Sequence, residues 1–166
     1  MKRTLLFLAI FSITYSMHAQ WKYKEINNPF DGVTRKVYIK GKAISSSSYN
    51  PTLVITKSFK KNTIDIQIKD ANKLDRTFPM VPGVLFKVDG GDDEIYFESE
   101  NEYDHNTFEL KEGTWTIPDK KINQLLELIK NNYKLYVRLF NYSKLDDYEF
   151  SLKGSAKAIQ YLMGKD

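Results

Sequence analysis

Apolar and polar residues alternate with a period of two over most of the chain, which is typical of half-buried β-strands. In RKVYIKGKAI the alternation places Val37 and Ile39 on one face and lysines on the other. The same pattern recurs in TLVITK, TIDIQIK, VLFKV, EIYF, YKLYVRLF and YEFSL, and more weakly in NTFELKEGTWTI. The sequence therefore predicts about eight to ten short strands.

Short polar or Gly-rich stretches separate these strands and predict turns. The DGGD run after Val88 is the clearest case, because Asp-Gly between alternating apolar residues indicates a hairpin. The remaining turns and loops are predicted at ISSSSYNP, KKN, FPMVPG, KLDD and the Glu112–Gly113 pair. Consecutive strands without intervening helices favour an antiparallel arrangement over a βαβ sheet.

The period changes to that of a helix in two places. One apolar stripe recurs at helical spacing in INQLLELIK, and Asp119 is predicted to cap its start. The second helix is predicted over Ala156 to Met163, with Ser155 as its cap and Gly154 as a sharp turn before it. Its predicted buried residues are Ile159, Leu162 and Met163, and Gly164 is predicted to end it.

These elements predict one fold class. We expect a mainly β protein, an antiparallel β-sandwich that is jelly-roll-like or an open barrel, with two short helices, one of them C-terminal. The C-terminal helix should cover an open end of the core, where apolar side chains between two sheets are otherwise exposed.

The N-terminal residues have the layout of a cleavable signal peptide. Lys2 and Arg3 precede an apolar run, Leu5 to Ile13, that is shorter than the roughly 20 residues of a membrane-spanning helix. We expect cleavage after Ala19, which makes residues 1–19 the signal peptide and residues 20–166 one domain. The alternative is a buried N-terminal helix. The mature chain is expected to be periplasmic or secreted and to contain no transmembrane segment.

Charge is distributed unevenly along the chain. The full chain carries a net charge of +4, and loss of Lys2 and Arg3 lowers it to +2. Between Asp89 and Glu112 there are ten acidic residues and one lysine, so the rest of the mature chain carries +11. This asymmetry favours a charged partner, although solvated hairpin loops are an alternative explanation. The basic residues are scattered along the sequence, so we do not expect nucleic-acid binding.

No catalytic constellation is evident. The chain has no cysteine, and His105 is the one histidine after the predicted signal peptide. Serines occur outside any G-x-S-x-G motif, and an exposed loop histidine is the simpler interpretation of His105. The row Glu98, Glu100 and Glu102 could supply paired carboxylates to a hydrolase, but a charged row that protects a sheet edge is the preferred interpretation.

Acidic residues in the DGGDDE run offer a weak candidate Ca²⁺ site. The possible ligands are Asp89, Asp92, Asp93 and Glu94, to which Asp104 and His105 in EYDH could add. Oxygen ligands suit Ca²⁺, but the spacing does not match the EF-hand loop. Asp and Gly are also favoured in turns for backbone reasons. We therefore expect no metal and no other cofactor.

One strand carries a possible contact surface. In YKLYVRLF, alternation places Tyr136, Arg138 and Phe140 on the face opposite Leu135, Val137 and Leu139. Both faces are partly apolar, which predicts a central strand. The Tyr136 face could pack in the core, or it could bind a ligand or a protein, since Tyr and Arg are enriched in interfaces.

The C-terminal run YEFSLKGSAKAIQYL resembles the end of bacterial exported proteins of the invasion-associated locus B type, and of some type VI secretion accessory proteins. NPFDGVTRKVYIKGKA and FKVD resemble two further segments of such domains. This chain differs from many of them in having no cysteine. The resemblance implies an exported β-sandwich and transfers no catalytic residues.

These observations together predict an exported, non-enzymatic protein that binds a protein or a cell-envelope component. Two alternatives remain open. A small-ligand or lipid carrier requires a cavity between the sheets, and a hydrolase requires two carboxylates to converge in a cleft, chosen from Asp89, Asp92, Glu98 and Asp104.

Overall fold

The computed structural model describes eleven strands and two helices. The described residues are 20–44, 50–70, 83–98, 109–111, 114–117, 121–141 and 144–165. The elements are β1 (Lys22–Asn28), β2 (Gly32–Lys40), β3 (Lys42–Ala43), β4 (Thr52–Ser58), β5 (Thr63–Lys69), β6 (Gly83–Val88), β7 (Glu94–Glu98), β8 (Glu109–Lys111), β9 (Thr114–Ile117), α1 (Ile122–Asn131), β10 (Lys134–Asn141), β11 (Lys144–Ser151) and α2 (Ser155–Leu162).

The strands form two sheets. The first sheet has six strands in the order β1-β2-β4-β5-β9-β8, and the second has five in the order β3-β11-β10-β6-β7. All strand pairs within the two sheets are antiparallel. Each sheet has two edge strands, so neither closes into a barrel. The predicted antiparallel β-sandwich with two helices, one of them C-terminal, is confirmed.

The chain passes from the first sheet to the second at Gly41, between β2 and β3. The Gly41 N–H donates a hydrogen bond to the carbonyl oxygen of Pro51 (2.8 Å). A Cβ atom at this position would lie 2.7 Å from the ring of Phe150, which is fully buried. The chain can therefore cross between the sheets at this position because Gly41 has no side chain.

Inward-facing residues of both sheets and both helices form one apolar core. The largest fully buried side chains belong to Ile39, Leu53, Ile55, Ile66, Ile68, Phe86, Ile117, Leu125, Ile129, Tyr148 and Phe150. The predicted stripe of α1 is confirmed, since Ile122, Leu125, Leu126 and Ile129 are all buried.

The C-terminal helix packs on α1 and on the first sheet. Ile159 and Leu162 are buried, as predicted, whereas Met163 is only half-buried. The predicted Ser155 cap is wrong, because the helix begins at Ser155 itself, which is buried and makes no capping bond. Gly154 occupies the N-cap position in the left-handed conformation with φ of 85°. It thus supplies the predicted sharp turn, and Gly164 ends the helix with φ of 72°.

One prediction about strands is wrong, and one strand is not predicted at all. KLDD was expected as a turn, but β11 begins at Lys144. Asp146 faces the buried side, and Asp147 lies opposite Arg138, where opposite charges stabilise the strand pair. The alternation also gives no sign of β1, whose residues are mostly exposed.

Several predicted features lie outside the described residues. They are the signal peptide at 1–19, the Ser45–Ser48 tract, the bend at 78–82, the Glu112–Gly113 turn and the Asp119 cap. Among the described residues, no helix is long and apolar enough to span a bilayer.

Candidate functional site: the outer face of the second sheet

Tyr136, Arg138 and Phe140 lie on the outer face of the second sheet, not in the core between the sheets. Their strand, β10, is the central strand of the second sheet, as predicted. Its alternate residues Leu135, Val137 and Leu139 are buried in the core. Tyr136, Arg138 and Phe140 therefore lie on the side away from the first sheet. Tyr136 and Phe140 are half-buried there, and Arg138 is exposed.

Arg138 is held in place by Asp147 on the neighbouring strand. The register pairs the two residues directly. Arg138 Nε–H donates to Asp147 Oδ1 (2.7 Å) and Nη2–H donates to Oδ2 (2.8 Å). This hydrogen bonding and the carboxylate charge raise the pKa of Arg138 above its usual value. The bidentate pair fixes the plane of the guanidinium while leaving 44% of the arginine side chain exposed.

A second charged cluster lies beside Tyr136. Glu149, the cross-strand neighbour of Tyr136, contacts Lys42 Nζ (3.3 Å) and Lys134 Nζ (3.5 Å). The charge of Glu149 is the main reason why the pKa of Lys134 is raised above 10.5. At neutral pH this corner of the face therefore carries two cations that share one carboxylate.

Aromatic residues form the other side of the face. The rings of Tyr96 on β7 and Phe140 on β10 meet edge to face, with centroids 5.7 Å apart. The Tyr96 ring also lies over Gly83 of the intervening strand β6, where a Cβ atom would be 2.5 Å from its hydroxyl oxygen. The absence of a side chain at Gly83 thus lets Tyr96 reach Phe140.

A shallow depression of about 360 Å³ lies in the middle of this face. Leu85, Tyr136 and Ile44 contribute apolar surface, and Arg138, Asp147, Lys87 and Glu94 contribute charge. Three large apolar residues on or beside this face are exposed: Ile44 (53%), Tyr96 (43%) and Leu145 (50%). Apolar surface and fixed charges are therefore available together to a partner.

The described candidate Ca²⁺ residues, Asp89, Asp92, Asp93 and Glu94, do not form a metal site. Asp89 Oδ1 accepts a hydrogen bond from the backbone N–H of Lys134 (2.8 Å), which ties the β6–β7 turn to the start of β10. Asp92, Asp93 and Glu94 are exposed. Among the residues that the structure describes, no three His, Cys, Asp or Glu side chains are placed to hold a metal ion.

Of the four carboxylates considered for a hydrolase, only Asp89 and Asp92 have side chains in the described part of the chain. Asp89 is engaged with the Lys134 backbone, and Asp92 is exposed beside the turn. The side chain of Glu98, which ends β7, and the residues Glu100, Glu102, Asp104 and His105 lie outside the described part.

The partners of the Tyr136 face are not predicted by the sequence. Asp147 was assigned to a turn, and nothing in the sequence indicated that Tyr96 and Ile44 would lie beside β10. Their positions depend on strand order and register. Alternation within one strand determines neither strand order nor register. The opposite charges of Arg138 and Asp147 were a sequence feature that could have indicated their pairing.

Comparison of the chain with protein-family models, curated proteins and solved structures gives no match.

Proposed function

We propose that the mature chain is an exported, non-enzymatic protein that binds a protein or a cell-envelope component through the outer face of the second sheet. The observation that carries this proposal is the exposed apolar and aromatic surface around a depression with a fixed arginine. Tyr, Phe and Arg are the residue types enriched in protein interfaces. The predicted signal peptide and the resemblance at 148–162 support export.

The pairing of Arg138 with Asp147 suits it to recognition. Its guanidinium is already oriented, so a partner that binds it immobilises less side-chain freedom. The exposed edge of the guanidinium can donate to a carboxylate or a backbone carbonyl of the partner. Ile44, Tyr96 and Leu145 can be buried around it, which excludes water from the charged contact.

A small-ligand carrier is a second candidate, favoured by the volume of the depression. About 360 Å³ lies at the lower end of the range for small-molecule sites. The ligand would then lie on the open face of the second sheet. The described inward side chains form one apolar cluster, which does not favour a site between the sheets.

Capture experiments with matched variants test the proposal. The mature wild-type protein, Tyr136→Ala/Arg138→Ala and the control Thr56→Ala on the first sheet are immobilised and exposed to envelope extract. We expect a component that the wild type and the control retain and the double variant loses. Equal recovery by all three proteins contradicts the assigned face. A co-purified small molecule in native mass spectrometry, absent from the double variant, supports the carrier instead.

A further inference from the structure

Four lysines that are scattered in the sequence lie together on the outer face of the first sheet. Lys22 and Lys24 are on β1, and Lys36 and Lys40 are on β2. The register places Lys24 directly opposite Lys36 and Lys22 opposite Tyr38. Since the alternate residues of β2 are buried in the core, these four side chains share the opposite side. They are called the lysine face below.

No described carboxylate forms an ion pair with a lysine of the lysine face. None of its four lysines makes a hydrogen bond or an ion pair with another described residue. Asp70 accepts a hydrogen bond from Thr52 Oγ1 (3.3 Å), and Thr52 lies opposite Lys40. Glu25 of β1 lies on the other side of the sheet, where it contacts Arg35 at 2.7 Å. Asp65 is in the same row as Lys36 but on β5, with β4 between them, and it accepts a hydrogen bond from Gln67.

Lys24 and Lys36 therefore form an unrelieved repulsive pair. Like charges directly opposite each other on neighbouring strands destabilise a sheet. The fold places Lys24 and Lys36 at directly opposite positions, with Lys22 and Lys40 nearby on the same face. An external anion is the partner that would remove the repulsion.

The arrangement of the lysine face indicates the shape of that anion. The four lysines are spread over two strands that are about 4.8 Å apart, and alternate residues along a strand are about 6.6 Å apart. The face is therefore two-dimensional, with Tyr38 among the charges. Single-stranded nucleic acid is usually bound in a groove with stacked aromatic rings, whereas a flat anionic surface can contact all four lysines at once.

We propose that the lysine face docks on the anionic phospholipid headgroups of a membrane surface. Attraction of each lysine to such a surface strengthens binding by about fivefold, so four lysines suffice for reversible attachment. Among the described residues of β1 and β2, the lysine face has no large apolar side chain that is exposed, so the protein lies on the headgroups without inserting. The lysine face belongs to the first sheet, and the proposed binding face belongs to the second. When the lysine face docks on a membrane, the proposed binding face therefore points away from it.

Vesicle co-sedimentation of the mature protein tests this site. We expect binding to vesicles of phosphatidylcholine mixed with phosphatidylglycerol, release by added salt, and no binding to phosphatidylcholine alone. Lys24→Gln/Lys36→Gln should weaken binding by about 30-fold. The matched control is Lys153→Gln/Lys157→Gln, which removes two exposed lysines elsewhere, and it should bind like the wild type.

A charge reversal separates loss of binding from loss of folding. Lys24→Glu places a carboxylate opposite Lys36 and should raise the thermal midpoint or leave it unchanged, while it weakens vesicle binding at least as much as the double variant. Three results would overturn the proposal. They are equal binding to both vesicle types, equal weakening by the control pair, and tighter binding to heparin or DNA than to the anionic vesicles.

Discussion

Gly41 and Gly83 each lie against an aromatic ring, and the two rings differ in how freely they can move. A Cβ atom at Gly41 would be 2.7 Å from the ring of Phe150, which is fully buried. At Gly83 the closest atom would be the hydroxyl of Tyr96, whose residue is 43% exposed. Neither glycine has a positive φ, so the contact with the ring decides the effect of a substitution.

We expect Gly41→Ala to lower the free energy of unfolding by about 1–3 kcal/mol, because neither Phe150 nor the surrounding core can move away. Gly83→Ala should cost clearly less, because Tyr96 can rotate into solvent at the loss of its contact with Phe140. Urea denaturation of both variants measures the difference. A Gly83→Ala variant that is the less stable of the two contradicts this account.

The outer face of the second sheet was predictable for single residues only in part. Alternation correctly separated Tyr136 and Arg138 from their buried neighbours, because orientation along a strand is a local property. It did not decide between core and surface, since both sides of β10 carry apolar residues. That decision depends on whether another layer covers each side, which is a property of the whole fold.

At the level of elements, strands with one apolar face were predicted and strands without one were not. β1 has the sequence KYKEINN, in which neither set of alternate residues is apolar. It is held at the sheet edge by backbone pairing with β2. KLDD failed for a related reason, because two aspartates favour a turn locally while the pairing of Asp147 with Arg138 stabilises a strand.

The last turn of α2 is joined to the first sheet by Arg35 of β2. Its Nη1–H donates to the carbonyl oxygen of Tyr161 (2.8 Å), and its Nε–H donates to Glu25 (2.7 Å). The guanidinium also lies over the rings of Tyr161 and Phe59, at 4.8 and 5.6 Å from their centroids. A cation at the C-terminus of a helix also interacts favourably with the helix dipole.

We expect Arg35→Lys to lower the free energy of unfolding by about 1.5–3 kcal/mol, because an ammonium group cannot make these contacts together. The control is Arg138→Lys, which changes an exposed pair and should cost less than about 1 kcal/mol. Chemical denaturation of both variants provides the measurement. Equal losses would show that Arg35 does not anchor α2 in particular.

For the whole molecule, the sequence predicted an uneven charge but not its location in space. The acidic run from Asp89 begins at the β6–β7 turn of the second sheet. Lysines of β1 and β2 are distant from that turn in sequence and meet on the first sheet through strand pairing. The lysine face thus arises from strand register, which explains why these lysines, scattered in the sequence, gave no signal there.

Trp21 lies two residues after the predicted cleavage site and packs in the core. Trp21 is 3% exposed and belongs to the apolar core, near Gly154 at the start of α2. Its buried indole N–H has no hydrogen-bond partner among the described residues. Cleavage after Ala19 makes Trp21 the second residue of the mature chain and keeps the ring in place.

We therefore expect the exported protein to begin at Gln20, and N-terminal sequencing with an intact-mass measurement checks this. Cleavage beyond Trp21 would remove its ring from the core and cost about 3–5 kcal/mol, as for other buried tryptophans. Trp21→Ala in the mature chain should produce a loss of the same size. An N-terminus after Trp21 on a protein of unchanged stability would contradict the role of Trp21, and an uncleaved N-terminus would contradict the signal peptide.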